Sequence, residues 1–82
     1  MLKDTVITMG DGKEYYVTED IMFENGDYYC CASLYNKETK DCNDEFEIFS
    51  IEKNEEGEMV FFPEYDKEVL NRISEILVNN NL

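Results

Sequence analysis

The sequence predicts an α+β fold, a single antiparallel β-meander of about five strands packed by one C-terminal α-helix. Three observations predict it. Short β-prone runs recur from Thr5 to Phe62, separated by glycine-bearing turns. Beyond Pro63 the apolar period changes from that of a strand to that of a helix. The chain has 82 residues, a length that buries only about 60% of its unfolded surface and so forms one domain, 1-82, with one thin core.

Thr5 to Met9 is the first run, and Gly10-Asp11-Gly12-Lys13 stops it with two glycines that can adopt positive φ. From Glu14 to Glu24 the alternation puts Tyr15, Val17, Ile21 and Phe23 on one face. Glu19 interrupts that face, which predicts a bulge near Glu19-Asp20. Asn25-Gly26 is the strongest hairpin signal and predicts a type I′ turn, whose two central residues both need positive φ. Asp27 to Tyr35 continues as strand, with Tyr28, Cys30, Ala32 and Leu34 on one face.

Asn36 to Asp44 is polar and reads as an exposed, mobile loop. Glu45 to Lys53 returns to strand. Phe46 and Ile48 share one parity and Phe49 and Ile51 the other, so this strand is either covered on both faces or bulged. Asn54-Glu55-Glu56-Gly57 is the next turn, and Met59 to Phe62 the last strand, ended by Pro63. Val69, Leu70, Ile73, Ile76 and Leu77 then form one helical stripe. Asp66 is the expected N-cap, Asn71, Arg72 and Glu75 mark the wet side, and Asn79-Asn80-Asn81 frays the end. A helix on one sheet face would leave the other partly in water.

Composition narrows the chemistry. There is no histidine, so the usual general base near neutral pH and the pairings that activate Ser or Cys are missing. No catalytic residue is assigned and the chain is read as a non-enzyme. Cys30 and Cys31 are adjacent and point to opposite faces of a strand, which disfavours a bridge or a shared metal. With Cys42 they make an odd count in a chain suited to a reducing cytoplasm. Cys30 is expected to pack as a small core side chain. Asp41, Asn43 and Glu45 match the first positions of a calcium loop, but Phe46 occupies the required glycine. Gly10-Asp11-Gly12 lacks the Lys-Ser/Thr ending of a phosphate loop. No metal and no cofactor is implied. Met1-Leu2-Lys3-Asp4 opens no signal-peptide run, and no stretch has the length of a membrane span.

Twenty acids against seven basic residues give a net charge of −13. Direct binding to nucleic acid or to a membrane of anionic lipid is therefore disfavoured. The excess is concentrated: from Asp41 to Glu68 eleven acids face only Lys53 and Lys67, a local charge of −9. Such a stretch is either a solvated face or a field directed at a basic surface. Glu45 and Glu47 lie about 6.6 Å apart on one strand face at roughly 3.3 Å per residue, a spacing in the range of successive phosphates. Tyr16, Tyr29 and Tyr35 are expected on the face away from the helix, where aromatic rings could anchor an interface.

The order of motifs resembles the small acidic Firmicutes proteins of the domain of unknown function 1292 family, the YrzB-like proteins. The resembling residues are Asp11-Gly12-Lys13-Glu14-Tyr15, then Phe23-Glu24-Asn25-Gly26-Asp27-Tyr28-Tyr29. They continue with Ile48-Phe49-Ser50-Ile51-Glu52, Gly57-Glu58 and Phe62-Pro63. Cys30-Cys31 and the lysine-bearing loop from Asn36 to Lys40 depart from the family pattern. The resemblance implies a small cytoplasmic bacterial or phage protein and carries over no catalytic residues.

The expected function is that of a non-enzymatic acidic binding protein engaging a basic surface of a partner protein. A phage-type inhibitor of a nucleic-acid-binding protein, an anti-CRISPR or other anti-defence nucleic-acid mimic, fits this description. The residues expected to carry it are Glu45, Glu47, Glu52, Glu55, Glu56 and Glu58, with Tyr29 and Tyr35 as anchors. The alternative is a housekeeping bacterial regulatory or structural module that binds through its apolar sheet face. The sequence carries no signal for the oligomeric state.

Overall fold

The computed structural model describes residues 2–80. Met1, the first residue of Met1-Leu2-Lys3-Asp4, and Asn81, in the expected frayed end, lie outside the described residues. Strands β1 (Val6–Thr8), β2 (Glu14–Met22), β3 (Tyr28–Asn36), β4 (Asp41–Lys53) and β5 (Met59–Pro63) form one antiparallel sheet in sequential order, followed by helix α1 (Lys67–Asn80). This is the predicted α+β meander with one C-terminal helix.

Three of the four strand connections share one geometry. In each, the last residue before the turn donates its amide to the carbonyl four residues on and accepts from the glycine amide three residues on: Met9 with Lys13 and Gly12, Phe23 with Asp27 and Gly26, Asn54 with Glu58 and Gly57. The glycines have φ of 89°, 95° and 83°. These are three-residue loops closing on a left-handed glycine. At Asn25-Gly26 this corrects the expected type I′ turn, because only Gly26 of the pair has positive φ. Asn25 instead turns its side-chain oxygen to the amide of Asp27 at 3.0 Å, a local bond that sets the turn without a left-handed asparagine.

The fourth connection is shorter than the sequence predicts. Asn36 accepts from the amides of Glu38 (2.9 Å) and Thr39 (3.3 Å), and Lys40 takes φ 59°. The strand resumes at once, so Asp41 to Asp44, read as loop, are strand residues. All four are exposed, and the pairing with β3 is irregular here, because Asn43, Asp44 and Glu45 lie between the partners of Ser33 and Tyr35.

The sheet is double-faced. One face gathers Ile7, Val17, Cys30, Ala32, Phe49 and Ile51, with Tyr15, Tyr28 and Phe61 packed against them. Strands as far apart as β1 and β5 contribute, so the sheet curls around this inner core. The other face carries Ile21, Tyr29 and Ile48, covered by Val69, Ile73, Ile76 and Leu77 of α1. Ile73 is the centre of that contact, 1% exposed.

The expected helix position is thus inverted. The helix covers the face of Tyr29, and the face of Tyr28, Cys30 and Ala32 is covered by the sheet's own curvature. The cause is a register shift in β2 between Val17 and Glu19, just before the predicted position. It sends Val17 to the inner core and Ile21 to the helix side, although the two share parity in the sequence. Of the two expectations for β4, coverage on both faces holds for its second half, with Phe49 and Ile51 inside and Ile48 under the helix, and its first half has an irregular register beside Phe46.

Asp66 caps the helix as predicted, its side-chain oxygen accepting from the amides of Glu68 (2.9 Å) and Val69 (3.3 Å). Asn79 and Asn80 belong to the helix instead of fraying from it. Exposed Arg72 lies 4.7 Å from the ring centre of Phe23, so the predicted wet side also clamps the β2–β3 hairpin. Asp66→Ala is expected to cost about 1 kcal/mol, read as a lower urea midpoint with unchanged slope. An unchanged midpoint would show that the cap contributes nothing.

Candidate partner-binding surface

All six candidate glutamates are exposed, but they do not form one row. Glu47 stands opposite Ala32 on β4, on the side of the inner core, and Glu45 precedes it by two residues. Glu52 stands opposite Val60 with the other parity, and Glu55, Glu56 and Glu58 belong to the β4–β5 hairpin. There Asn54 holds the amides of Glu56 and Glu58 at 3.0 and 2.9 Å, which fans the glutamates outward. Five residues of strand, roughly 17 Å, separate Glu47 from Glu52. The acidic surface is bipartite, with one cluster at each end of β4.

Neither cluster is neutralised internally. Among the described residues the ion pairs are Lys3–Glu19 at 3.2 Å and Lys37–Glu14 at 3.5 Å. Both lie outside the Asp41–Glu68 segment. Glu47 lies near the Tyr15 hydroxyl, whose pKa is raised by burial and further by that carboxylate. The Tyr15 ring meets Phe49 edge-on at 5.1 Å, so the first cluster sits over the inner core.

The aromatic anchors need correction. Tyr29 is 8% exposed and packs beneath α1 against Phe23, ring centres 5.3 Å apart. It cannot reach a partner, because its register opposite Ile21 and Ser50 places it on the face the helix covers. Tyr35 is half-buried and lies 6.4 Å from Tyr16 at the far end of the sheet, beyond the helix. Its neighbours are Tyr16 and, across the β3–β4 ladder, Cys42, and it stacks on neither glutamate cluster.

The large exposed ring beside the acids is Phe46, 64% exposed between Glu45 and Glu47. The sequence left it, by its parity with Ile48, on a strand either covered on both faces or bulged. Its position at the edge of a run of charged residues was the available signal, since a core face rarely begins there. Another missed feature is Asp20, which accepts from the Leu2 amide at 3.2 Å and from the Tyr28 hydroxyl. It ties the N-terminal segment to β2 and β3. Burial and this carboxylate push the Tyr28 pKa up to about 12.

Cys30 and Cys31 lie on opposite faces, as expected, and both are buried. Burial pushes the Cys30 thiol up to about 12 and raises that of Cys31. Neither presents a thiolate at neutral pH. Among the described residues no three His, Cys, Asp or Glu side chains converge as a metal site, and no helix is long and apolar enough to cross a membrane. No family model, curated protein or solved structure matches the chain.

Proposed function

We propose that this protein is a non-enzymatic acidic binding module that engages a basic surface of a partner protein in the bacterial cytoplasm. The observation that carries the reading is the pair of exposed glutamate clusters to which, among the described residues, no lysine or arginine is ion-paired. Concentrated like charge opposes folding, and its cost is offset when a cationic partner neutralises it. A nucleic-acid-binding protein supplies such a surface, and inhibition by backbone mimicry is the form of the reading that uses the Glu45–Glu47 spacing. The absence of histidine and the protonated, buried thiols support a binding role over catalysis. The resemblance to the domain of unknown function 1292 family belongs to this proposal and assigns no activity. The alternative, docking through an apolar sheet face, has less surface to work with. On central β3, Cys30 and Ala32 are buried on one side and Tyr29 and Cys31 on the other.

The test is a partner captured at low salt and titrated against the wild type and a variant with all six glutamates changed to Gln. Affinity is expected to fall at least tenfold in the variant, with a flatter dependence on salt. DNA or RNA should compete if the occupied surface normally holds a phosphate backbone. Equal affinity for both proteins would overturn the proposal.

A further inference from the structure

Strand β4 is much longer than the strand beside it. β5 pairs with Phe49 to Lys53, and the Glu64 amide adds a last bond to the carbonyl of Ile48 at 2.9 Å. From there the chain departs into α1, leaving Asp41 to Glu47 as a sheet edge. The Ile48 carbonyl points away from β3, so by the alternation of an antiparallel ladder the amide and carbonyl of Phe46 point the same way. Among the described residues no backbone group outside the β3–β4 ladder bonds to them. Only Glu45 has a local substitute, its amide lying 3.3 Å from the Asn43 side chain.

An apolar groove runs alongside this edge. Phe46, Ser74 and Leu77 are shared by two adjoining depressions of about 640 and 310 Å³ between α1 and β4. Val78 extends one end and Leu70 the other. Ser74 keeps the middle shallow-walled, where a larger side chain would fill it. The charged residues lining the groove are Glu19, Glu47 and Glu64, with no lysine or arginine. The two faces of the edge differ: Phe46 lines both depressions, whereas Glu47 borders only one of them and stands opposite Ala32, on the side of the inner core.

The geometry points to β-strand addition: the free edge of β4 takes up an extended segment of a partner protein in which apolar residues alternate with lysine or arginine. Main-chain bonds to the Phe46 edge supply the pairing, and alternate side chains read the two faces. The apolar set enters the groove between Phe46, Leu77 and Leu70, while the basic set meets Glu47, with Glu45 in the irregular stretch beside it. Charge selects the occupant. A second copy would bring another −13 to the same edge, and acids on an edge strand oppose self-pairing. A cationic strand meets no such barrier. The inference rests on the acidic-surface reading and adds the backbone, the ring and the sequence pattern that the partner must present.

The test uses a labelled synthetic peptide alternating Lys with Leu and Val, and a second peptide of the same composition in which basic and apolar residues form two blocks. Fluorescence anisotropy at low salt is expected to show at least tenfold tighter binding of the alternating peptide. Two further peptides carry N-methyl groups on one or the other set of alternate amides. One is expected to lose at least tenfold, because its methyls face β4, and the other to bind like the parent. Phe46→Ala, at an exposed position, should weaken the alternating peptide severalfold while leaving the urea midpoint in place. Absence of binding, equal binding of the alternating and block peptides, or indifference to both methylation patterns overturns strand addition. If the two unmethylated peptides bind equally and Glu45→Gln with Glu47→Gln weakens both, the acidic reading survives without the edge. If alternate methylation matters but neither salt nor those Gln changes do, the edge is used and the acidic reading falls.

Discussion

Phe49→Ala is expected to remove about 3–5 kcal/mol of folding stability. Phe49 is 3% exposed on the inner face of β4, between its ladder partners Cys30 and Pro63 and in edge-on contact with Tyr15. It therefore joins β2, β3, β4 and β5, and the curl of the sheet leaves no neighbouring element free to collapse into the space. At roughly 0.05–0.15 kcal/mol per residue, a chain of this size has on the order of 4–12 kcal/mol in total. The variant should accordingly be partly or wholly unfolded at 37 °C. Urea denaturation followed by far-UV circular dichroism measures the effect. A loss under about 1 kcal/mol would mean that the inner face is not packed as described.

Alkaline pH should destabilise the fold well before backbone chemistry intervenes. In the folded chain burial holds the Cys30 thiol protonated up to about 12, against an ordinary 9.0. The Tyr28 hydroxyl is likewise raised from 10.0 to about 12 by burial and by Asp20. The unfolded chain releases these protons first, so between pH 9 and 12 it binds fewer protons than the native state and stability falls as pH rises. Below pH 9 the contribution is complete. Cys30 alone contributes a slope approaching about 1.4 kcal/mol per pH unit within that window. Urea midpoints measured from pH 8 to 11 should fall steeply for the wild type and less steeply for Cys30→Ala. Parallel profiles for the two proteins would show that the thiol ionises without unfolding.

The acids of β4 have two physical roles that the fold makes compatible. As edge residues, Asp41, Asp44, Glu45 and Glu47 discourage pairing between copies of the chain. As exposed groups without ion pairs they also leave a field that a cationic segment can satisfy. The same side chains exclude one occupant of the edge and favour another, which is how specificity arises from unfavourable as well as favourable contacts.

Local signals in the sequence determined a great deal of this molecule. The turn glycines Gly12, Gly26 and Gly57 marked three of the four connections, because positive φ is a property of single residues. The stripe from Val69 to Leu77 and the cap at Asp66 announced α1, because both depend only on neighbours within a few positions. The exposure of all six glutamates followed from their charge. Tertiary structure alone decided which sheet face the helix covers, that Tyr29 lies beneath it, and that Phe46 stands in the open beside a free edge. The faces of β2 hinge on the one-residue register shift between Val17 and Glu19, while the β3–β4 pairing shifts by two residues between Ser33 and Tyr35. A slip of one residue moves every later side chain to the opposite face, and although Glu19 marked where the slip occurs, strand periodicity did not show which face each half of β2 takes. It is set by the curl that lets Ile7 on β1 share a core with Ile51 on β4, a contact between residues distant in sequence that no local pattern encodes.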